Sequence, residues 1–526
     1  MQLQPILIDG QWRQADVAGE FRAENPATRE PLEESYPVSS WRDCDEALNA
    51  AVAAAARLRG MSGAQIAHFL DRAAERIDSQ RDAIVRLAHL ETALAISPRL
   101  ADIELPRTTN QLRQAAAAAR DGSWALPTID VKANIRSCFA PIGPVCVLGP
   151  NNFPLAFNSV CGGDFAAAIA AGNPVIAKGH PSHPGTTRLL AEEVRAAADE
   201  TGMPTGAVQL LYRLGPADGL RLAADPRIGA TGFTGSRRAG LKLKAAADAA
   251  GKPIYLEMSS INPVVILPHA LAERAAEIVD QFVASCLAGS GQFCTNPGLV
   301  ILLAGRESEA FLAAVADRFR TAPVGTLLAG GVASALAASV ENLRSGGANI
   351  VAGGTVGGGP GHSFANTLLR VSGRQFLASA AALQSEAFGN ASLSVLAADV
   401  AEASRIVESL EGNLTGSIYS SSAGHDDLAY FELASRLRPR VGRLLGDKMP
   451  TGVAVSPAMN HGGPFPATGH PGFTAVGIPA SLRRFSMLTC YDNVRNHRLP
   501  QLLADKNPTG QTWRCVDGRW THEDVQ

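Results

Sequence analysis

No two cysteines in this chain are spaced as CxxC, which excludes a zinc ribbon and a thioredoxin-type redox centre. The eight that occur lie far apart, at 44, 138, 146, 161, 286, 294, 490 and 515, as expected of free thiols in a reducing compartment. The start, MQLQPILIDGQW, has neither a basic segment nor a long apolar one, so a secretory leader is not expected and a cytoplasmic location is. No apolar run approaches the ~18 residues of a membrane-spanning helix. Charge of one sign is not in excess, with 47 Lys and Arg against 49 Asp and Glu, so neither nucleic acid nor a charged membrane surface is an expected partner. The phosphate-binding pattern GxxxxGK followed by Ser or Thr is absent, and so is GxGxxG after a strand. No internal repeat stands out.

With 526 residues, the chain exceeds one simple core and predicts two or three domains. Residues 44–122 are alanine-rich, with apolar positions at steps of three and four that predict helices. From about 143 the pattern alternates. GPVCVLG, NPVIAKG, AVQLLY, IGATGFTGS and PIYLEMS predict short strands, with helices over NSVCGGDFAAAIAAG and PGTTRLLAEEVRAAADETG. Strands alternating with helices indicate an α/β fold with a mostly parallel sheet. The alternation restarts after 260 with PVVIL, a helix over about 271–288 and GLVILLAG, predicting a second α/β domain. AGGTVGGGPGHS predicts a surface turn, and SPAMNHGGPFPATGHPGFTAVG, from 456, a loop laid over a surface or a ligand.

Several residues in this framework suit chemistry. Cys294, in GSGQFCTNPG, sits between glycines and a Pro-Gly pair, hence at a shaped bend; it reads as a nucleophile or as a small buried hydrophobe. Lys178 closes a strand, where parallel sheets bind ligands, and His180 and His183 follow it. The prolines around those histidines oppose the helical turn that would aim both rings at a metal, and no metal is expected. Gly232 and Ser236, in GFTGSRRAG, form either a phosphate-ready helix start or a plain capped turn. Glu257 ends a strand that reads as buried. A carboxylate there is costly unless paired or functional, and desolvation would suit it to act as a base. Glu386, in SEAFGN, is a second carboxylate with a weaker signal of its own.

Together and in order, GPNNFPLAF, NPVIAKGHPSHPG, GFTGSRRAG, LEMSSINPV, GQFCTNPG and EAFGN resemble the motifs of the aldehyde dehydrogenase superfamily over essentially the whole chain. The resemblance implies a Rossmann-like cofactor domain over 1–125 and 143–255 and an α/β catalytic domain over 256–465. It also implies a small oligomerisation element combining 126–142 with the tail 466–526, in a homodimer or homotetramer. It implies Cys294 as nucleophile towards an aldehyde, Asn152 and the Cys294 N–H as oxyanion donors, and Glu257 as the base of thioester hydrolysis. Lys178, His180, Arg213, Gly232, Ser236, Glu386 and Phe388 are implied to hold the nicotinamide cofactor.

Two departures from the family pattern matter. Pro181 stands where many members carry an acid that binds the adenosine ribose, and His180 and Arg213 could add positive charge; this favours NADP, with NAD the alternative. Asn390 stands where proline is usual beside Glu386. GQFCTNPGLV, MSSINPV, the KxHPxHPG form and HGGPFPAT further resemble the α-ketoglutaric semialdehyde (2,5-dioxopentanoate) dehydrogenase branch, with NADP-using fatty aldehyde dehydrogenases nearby. Phe157, Phe293, Pro297 and Phe465 are candidates to face the substrate. Arg483 and Arg484 are placed either against a substrate carboxylate or in solvent. Glu257 argues against release of the acyl group to CoA, and the presence of both Cys294 and Glu257 against a non-catalytic relative.

Overall fold

The computed structural model describes residues 3–526. Its first large sheet is parallel through Ile254–Glu257, Ala230–Thr234, Val145–Leu148, Val175–Lys178 and Val208–Leu211, in that spatial order. An antiparallel hairpin, Ile6–Ile8 and Gln11–Arg13, completes one edge. Helices cover both faces, which is why these strands read as unbroken apolar runs: Val145, Cys146 and Val147 are all buried, as are Val175, Ile176 and Ala177. The parallel register sets Leu148 beside Lys178 and Thr234 beside Glu257. Four strands therefore deliver their last residues to one rim of the sheet, where such folds bind ligands.

The alanine-rich region breaks into the helices Trp41–Leu58, Gly63–Ser79, Arg81–Thr92 and Leu105–Asp121. Ser62 and Gln65 form a reciprocal capping box at the second, and Gly122 ends the last in the left-handed region. Small side chains allow the second and last of these to pack closely: a Cβ added to Gly63 would lie 2.1 Å from the Ala119 carbonyl. The sequence predicted helix across all of NSVCGGDFAAAIAAG, but only Gly163–Ala170 is helical. Asn158 holds the preceding turn, its side-chain oxygen accepting from Val160 N and its carbonyl from Gly162 N. The hairpin Val17–Asn25 with Glu30–Ser39 was not predicted; its Arg213–Leu214 neighbour joins it in a separate three-stranded sheet.

The second large sheet runs Asn349–Ala352, Thr367–Ser372, Ala391–Ala397, Leu299–Leu303, Val264–Ile266, Asn413–Tyr419 and Val441–Gly446, parallel except at its first strand. A five-stranded sheet links distant parts of the chain: Ile135–Pro141 pairs with Thr128–Asp130 and with Ser486–Asp492, and Arg514–Val516 and Arg519–Thr521 extend it. Among the described residues, no helix is long and apolar enough to cross a membrane.

Arg484 does not face solvent. Its guanidinium is buried and donates to Asp164 Oδ1 at 2.7 Å, tying the C-terminal segment to the helix Gly163–Ala170. Gly232 makes room for that pair, since a Cβ there would lie 2.7 Å from Asp164 Oδ2. Removing one partner of such a pair strands a buried charge. Asp164→Asn is therefore expected to destabilise the fold by about 3 kcal/mol, read as an earlier midpoint in urea unfolding.

Candidate active site

Cys294 lies in a turn that its neighbours force into an unusual shape. Gly289, Ser290 and Gly291 all have positive φ, at 53°, 58° and 70°. Gly291 cannot be replaced without movement, because its added Cβ would lie 2.1 Å from the Gly389 carbonyl. Ser290 holds the same region with a side chain, a local strain of the kind that collects at functional sites. Asn262, itself at φ 48°, stitches the turn to the segment after Glu257. Its Nδ2 contacts the carbonyl oxygens of Cys294 and Asn296, both at 2.9 Å, and of Ser260 at 3.2 Å.

Glu257 is buried at its strand end, and Oε1 lies 2.8 Å from His461 Nε2. The same nitrogen lies 3.5 Å from Cys294 Sγ. The three ligand-type atoms of Glu257, Cys294 and His461 all fall within 4.8 Å of one another. Glu257 Oε2 and His461 Nδ1 are buried with no hydrogen-bond partner among the described residues. Burial, then the Glu257 charge, raises the Cys294 thiol well above its ordinary range, while Arg107 acts in the opposite direction. The resting group is thus a thiol that needs a base. The sequence reading did not assign His461. Its only signal was a histidine within the Gly/Pro loop, and contact with Glu257 spans 204 positions of chain.

Asn152 is also buried, its Nδ2 donating to the Gln292 carbonyl at 2.9 Å. An unpredicted ion pair positions its loop. Arg99 Nη1 pairs with the fully buried Glu104, Arg99 Nη2 donates to the Asn152 carbonyl at 2.9 Å, and Glu104 Oε1 accepts from Leu155 N and Ala156 N. Phe153, Phe157 and Phe293 form an aromatic cluster beside these groups, with Phe157 and His461 ring centres 6.2 Å apart. Phe465 instead is 55% exposed, and Pro297 is buried, its carbonyl accepting from the Ser392 hydroxyl.

A cavity of about 510 Å³ joins Cys294, Asn152 and Glu257 to Lys178, His180, Ser236, Glu386 and Phe388. Its chemistry fits a dinucleotide. One end has a lysine at a strand terminus and the N-terminus of the helix Arg237–Ala249, capped by Ser236, a favourable seat for phosphate. Among the described residues the lining acids are Glu257 and Glu386, both close enough to Cys294 for their charges to act on its thiol. Burial, opposed by Cys146 and aided by Arg213, lowers Lys178 to about 8, and burial pushes Glu386 up to about 7 despite bonds from Ser259 and Ser260. His180 is driven well below its usual range by burial and by His183 and Lys178, so it is neutral at pH 7. His180 Nδ1 accepts from Ser182 N at 3.2 Å, which leaves Nε2 carrying the proton. His183 Nε2 donates to the Pro150 carbonyl at 3.0 Å, a structural bond. Arg213 and Gly232 do not line the cavity; Arg213 lies over the Phe21 ring, 5.6 Å from its centre. Asn390 Nδ2 donates to the Phe364 carbonyl and to Asn366 Oδ1, both at 2.7 Å, so the loop after Glu386 is held by side-chain bonds where proline is usual.

The family model "Aldehyde dehydrogenase family" matches residues 12–442. The chain belongs to the aldehyde dehydrogenase family. It is 40% identical to the α-ketoglutaric semialdehyde dehydrogenase 2 of Azospirillum brasilense, over 97% of this chain and 98% of that one. It is 35% identical, with the same coverage, to the α-ketoglutaric semialdehyde dehydrogenase of Acinetobacter baylyi. The fold is similar to a crystal structure of Pseudomonas syringae aldehyde dehydrogenase C, a cysteine-to-alanine mutant in complex with NAD+ and octanal, at a TM-score of 0.80 and 24% identity. That likeness covers 93% of this chain and 96% of that one. Escherichia coli lactaldehyde dehydrogenase gives a TM-score of 0.79 at 22% identity, covering 93% and 98%. In this aldehyde dehydrogenase the thiol is the group to probe first. Removing the neighbouring anion favours a thiolate. Alkylation of Cys294 by iodoacetamide in Glu257→Gln is therefore expected to rise with pH at a midpoint about one pH unit below the parent's.

Proposed function

We propose that this enzyme oxidises α-ketoglutaric semialdehyde to 2-oxoglutarate through a thiohemiacetal and a thioester on Cys294. The observation that carries the reaction is the convergence of thiol, carboxylate and imidazole within 4.8 Å. The substrate is supported by the two full-length relatives of that name. In the resting site His461 Nε2–H donates to the Glu257 carboxylate. When the thiol proton passes to Glu257, the carboxyl becomes neutral and the same N–H turns to the new thiolate. His461 thus faces whichever partner is anionic and needs no protonation change of its own. The thiolate adds to the aldehyde carbon. The second N–H of the Asn152 amide and the Cys294 backbone N–H hold the oxygen that gains charge.

When bound, the nicotinamide cofactor supplies the hydride acceptor that turns thiohemiacetal into thioester. The proton that Glu257 took from the thiol passes to solvent, and Glu257 Oε2, free of protein partners among the described residues, then takes a proton from water as the water attacks the thioester carbon. The carbon–sulfur bond breaks, the acid leaves, and Glu257 returns the proton to sulfur. Cys294→Ala is expected to abolish turnover and to leave cofactor affinity within about twofold, measured by fluorescence titration. Glu257→Gln is expected to give a burst of reduced cofactor followed by slow turnover. His461→Ala is expected to lower kcat/KM by about 10–100-fold, the worth of one hydrogen bond to a charged group. Turnover by Cys294→Ala would refute the mechanism.

For the cofactor we propose NADP over NAD. Glu257 and Glu386 act near Cys294, and Pro181 supplies no acid beside Lys178. The positive field comes from Lys178, with Arg213 close enough to act on it, and not from the neutral His180. We also take 1–125 with 143–255 as the cofactor domain and 256–465 as the catalytic one, in a cytoplasmic homo-oligomer assembled through 126–142 and the C-terminal tail. NADP is expected to exceed NAD in kcat/KM by about tenfold, about 1.4 kcal/mol. Arg213→Met is expected to narrow that ratio, Pro181→Glu to move it towards NAD, and His180→Gln to change it little at pH 7. A parent that prefers NAD overturns the charge argument alone.

A further inference from the structure

We propose that Arg107 and Arg443 form a receptor for a carboxylate at the far end of the substrate, so that short anionic aldehydes are selected over neutral ones of equal length. The inference rests on the aldehyde-oxidising reading of Cys294 and adds which residues choose the substrate. Neither arginine lines the cavity that joins Lys178 to Cys294. They approach the cysteine on its aromatic side, from two different elements. Arg107 stands on the helix Leu105–Asp121 and Arg443 on the strand Val441–Gly446.

Arg107 lies over the Phe157 ring at 5.1 Å and the Phe153 ring at 5.8 Å from their centres. Phe157 in turn neighbours His461. The Nε of Arg107 is steadied by Gln111 Oε1 at 3.4 Å, but its Nη2 is buried without a hydrogen-bond partner. Burial lowers this guanidinium from its usual range, while the charges of Glu104 and Cys294 act to retain its proton. Arg443 stands near the cysteine through a different set of contacts. Its Nη atoms contact the carbonyl oxygens of Pro450 and Gly452 at 3.3–3.4 Å, and its Nε is buried and unpartnered. The loop 450–452 is bonded to Thr295, the neighbour of Cys294, and the charge of Cys294 acts on Arg443. Val453, Val455, Met459 and Phe293 pack with Phe153 and Phe157, forming an apolar wall suited to a few methylene groups.

Among the described residues, no carboxylate pairs with Arg107 or Arg443. The contrast with Arg99 is instructive. It stacks on Phe153 and Phe293 in the same cluster, yet it is neutralised by Glu104 and bonded to the Asn152 loop. Arg99 is structural; each of the other two guanidiniums keeps one buried nitrogen without a partner, Nη2 of Arg107 and Nε of Arg443. Removing a guanidinium from water without an acceptor is unfavourable, and a bound carboxylate reverses that cost with bidentate geometry. The Phe157 face holds the Arg107 plane in advance, so less freedom is lost on binding. A long neutral tail would instead have to lie against guanidinium groups that gain nothing from it.

The experiment compares kcat/KM for 5-oxopentanoate, 2,5-dioxopentanoate and pentanal, in the parent and in Arg107→Met, Arg443→Met and Arg107→Lys. The parent is expected to favour the two anionic aldehydes. Each Met substitution is expected to lower the ratio of 5-oxopentanoate to pentanal by about 10–100-fold, chiefly through KM, with Arg107→Lys in between. A purely structural role would depress all three aldehydes alike and leave the ratio unchanged, which overturns the proposal. Should the variants fail to fold, inhibition of the parent decides. Glutarate is expected to compete with the aldehyde at least about tenfold more tightly than neutral glutaramide, and equal inhibition overturns the proposal. A parent without preference for anionic aldehydes refutes both this receptor and the keto-acid substrate. A preference that survives both substitutions refutes the receptor alone.

Discussion

A carboxylate buried at the end of a strand must find a donor, and for Glu257 that donor is His461. Much of the architecture follows from this bond. The strand Ile254–Glu257 is set by its parallel partner Ala230–Thr234, so the carboxylate arrives at the sheet rim with no freedom to turn towards water. The imidazole must come to it, and the chain brings it on the Gly/Pro-rich segment after the second large sheet. That segment is bonded back at Met258 N to the Ala467 carbonyl, and a bridge joins Glu257 to Thr468. Once the imidazole is in place, the same nitrogen is close to the thiol. Acid–base chemistry and loop path are thus one constraint.

The cysteine is brought to this point by a second constraint, the fit between two turns. Gly291 presses on the Gly389 carbonyl, and Asn262 bonds the carbonyls on either side of Thr295. The turn that carries Cys294, the segment after Glu257 and the loop of Glu386 are therefore coupled by close backbone approach and by side-chain bonds to main-chain carbonyls. Such coupling holds loops within the narrow tolerance that a catalytic geometry needs. The charge pattern around the cysteine is divided. The acids Glu257 and Glu386 raise its thiol, while Arg107 opposes them. Burial is the larger cause, and together with the acids it keeps the thiol protonated at rest.

The fold class and the order of motifs were legible because both are local. Strand-length apolar runs alternating with helical periodicity announce parallel sheets, and the residues at the ends of such strands, Lys178 and Glu257, are placed at the binding rim by topology alone. Cys294 was legible because glycines and a Pro-Gly pair shape its turn within ten residues. Ser236 was legible as a helix cap, since Ser236 Oγ accepts from Ala239 N only three positions on. The hairpin Val17–Asn25 with Glu30–Ser39 went unread, because its strands are partly exposed and charged and so lack an apolar run.

What the sequence alone determined, then, is the α/β architecture and the family motifs, and it singled out Cys294, Glu257 and Asn152 as candidates, all carried by short stretches with their own backbone logic. The tertiary structure alone decided the partners of those groups. His461 meets Glu257 across 204 positions, and Arg484 meets Asp164 across 320. It also separated look-alikes. His180 lines the cavity while His183 anchors Pro150, and Arg99 is paired while Arg107 is not. The physical reason is that a residue's charge and hydrogen-bond state depend on what surrounds it in space, and the surroundings here come from segments with no proximity along the chain.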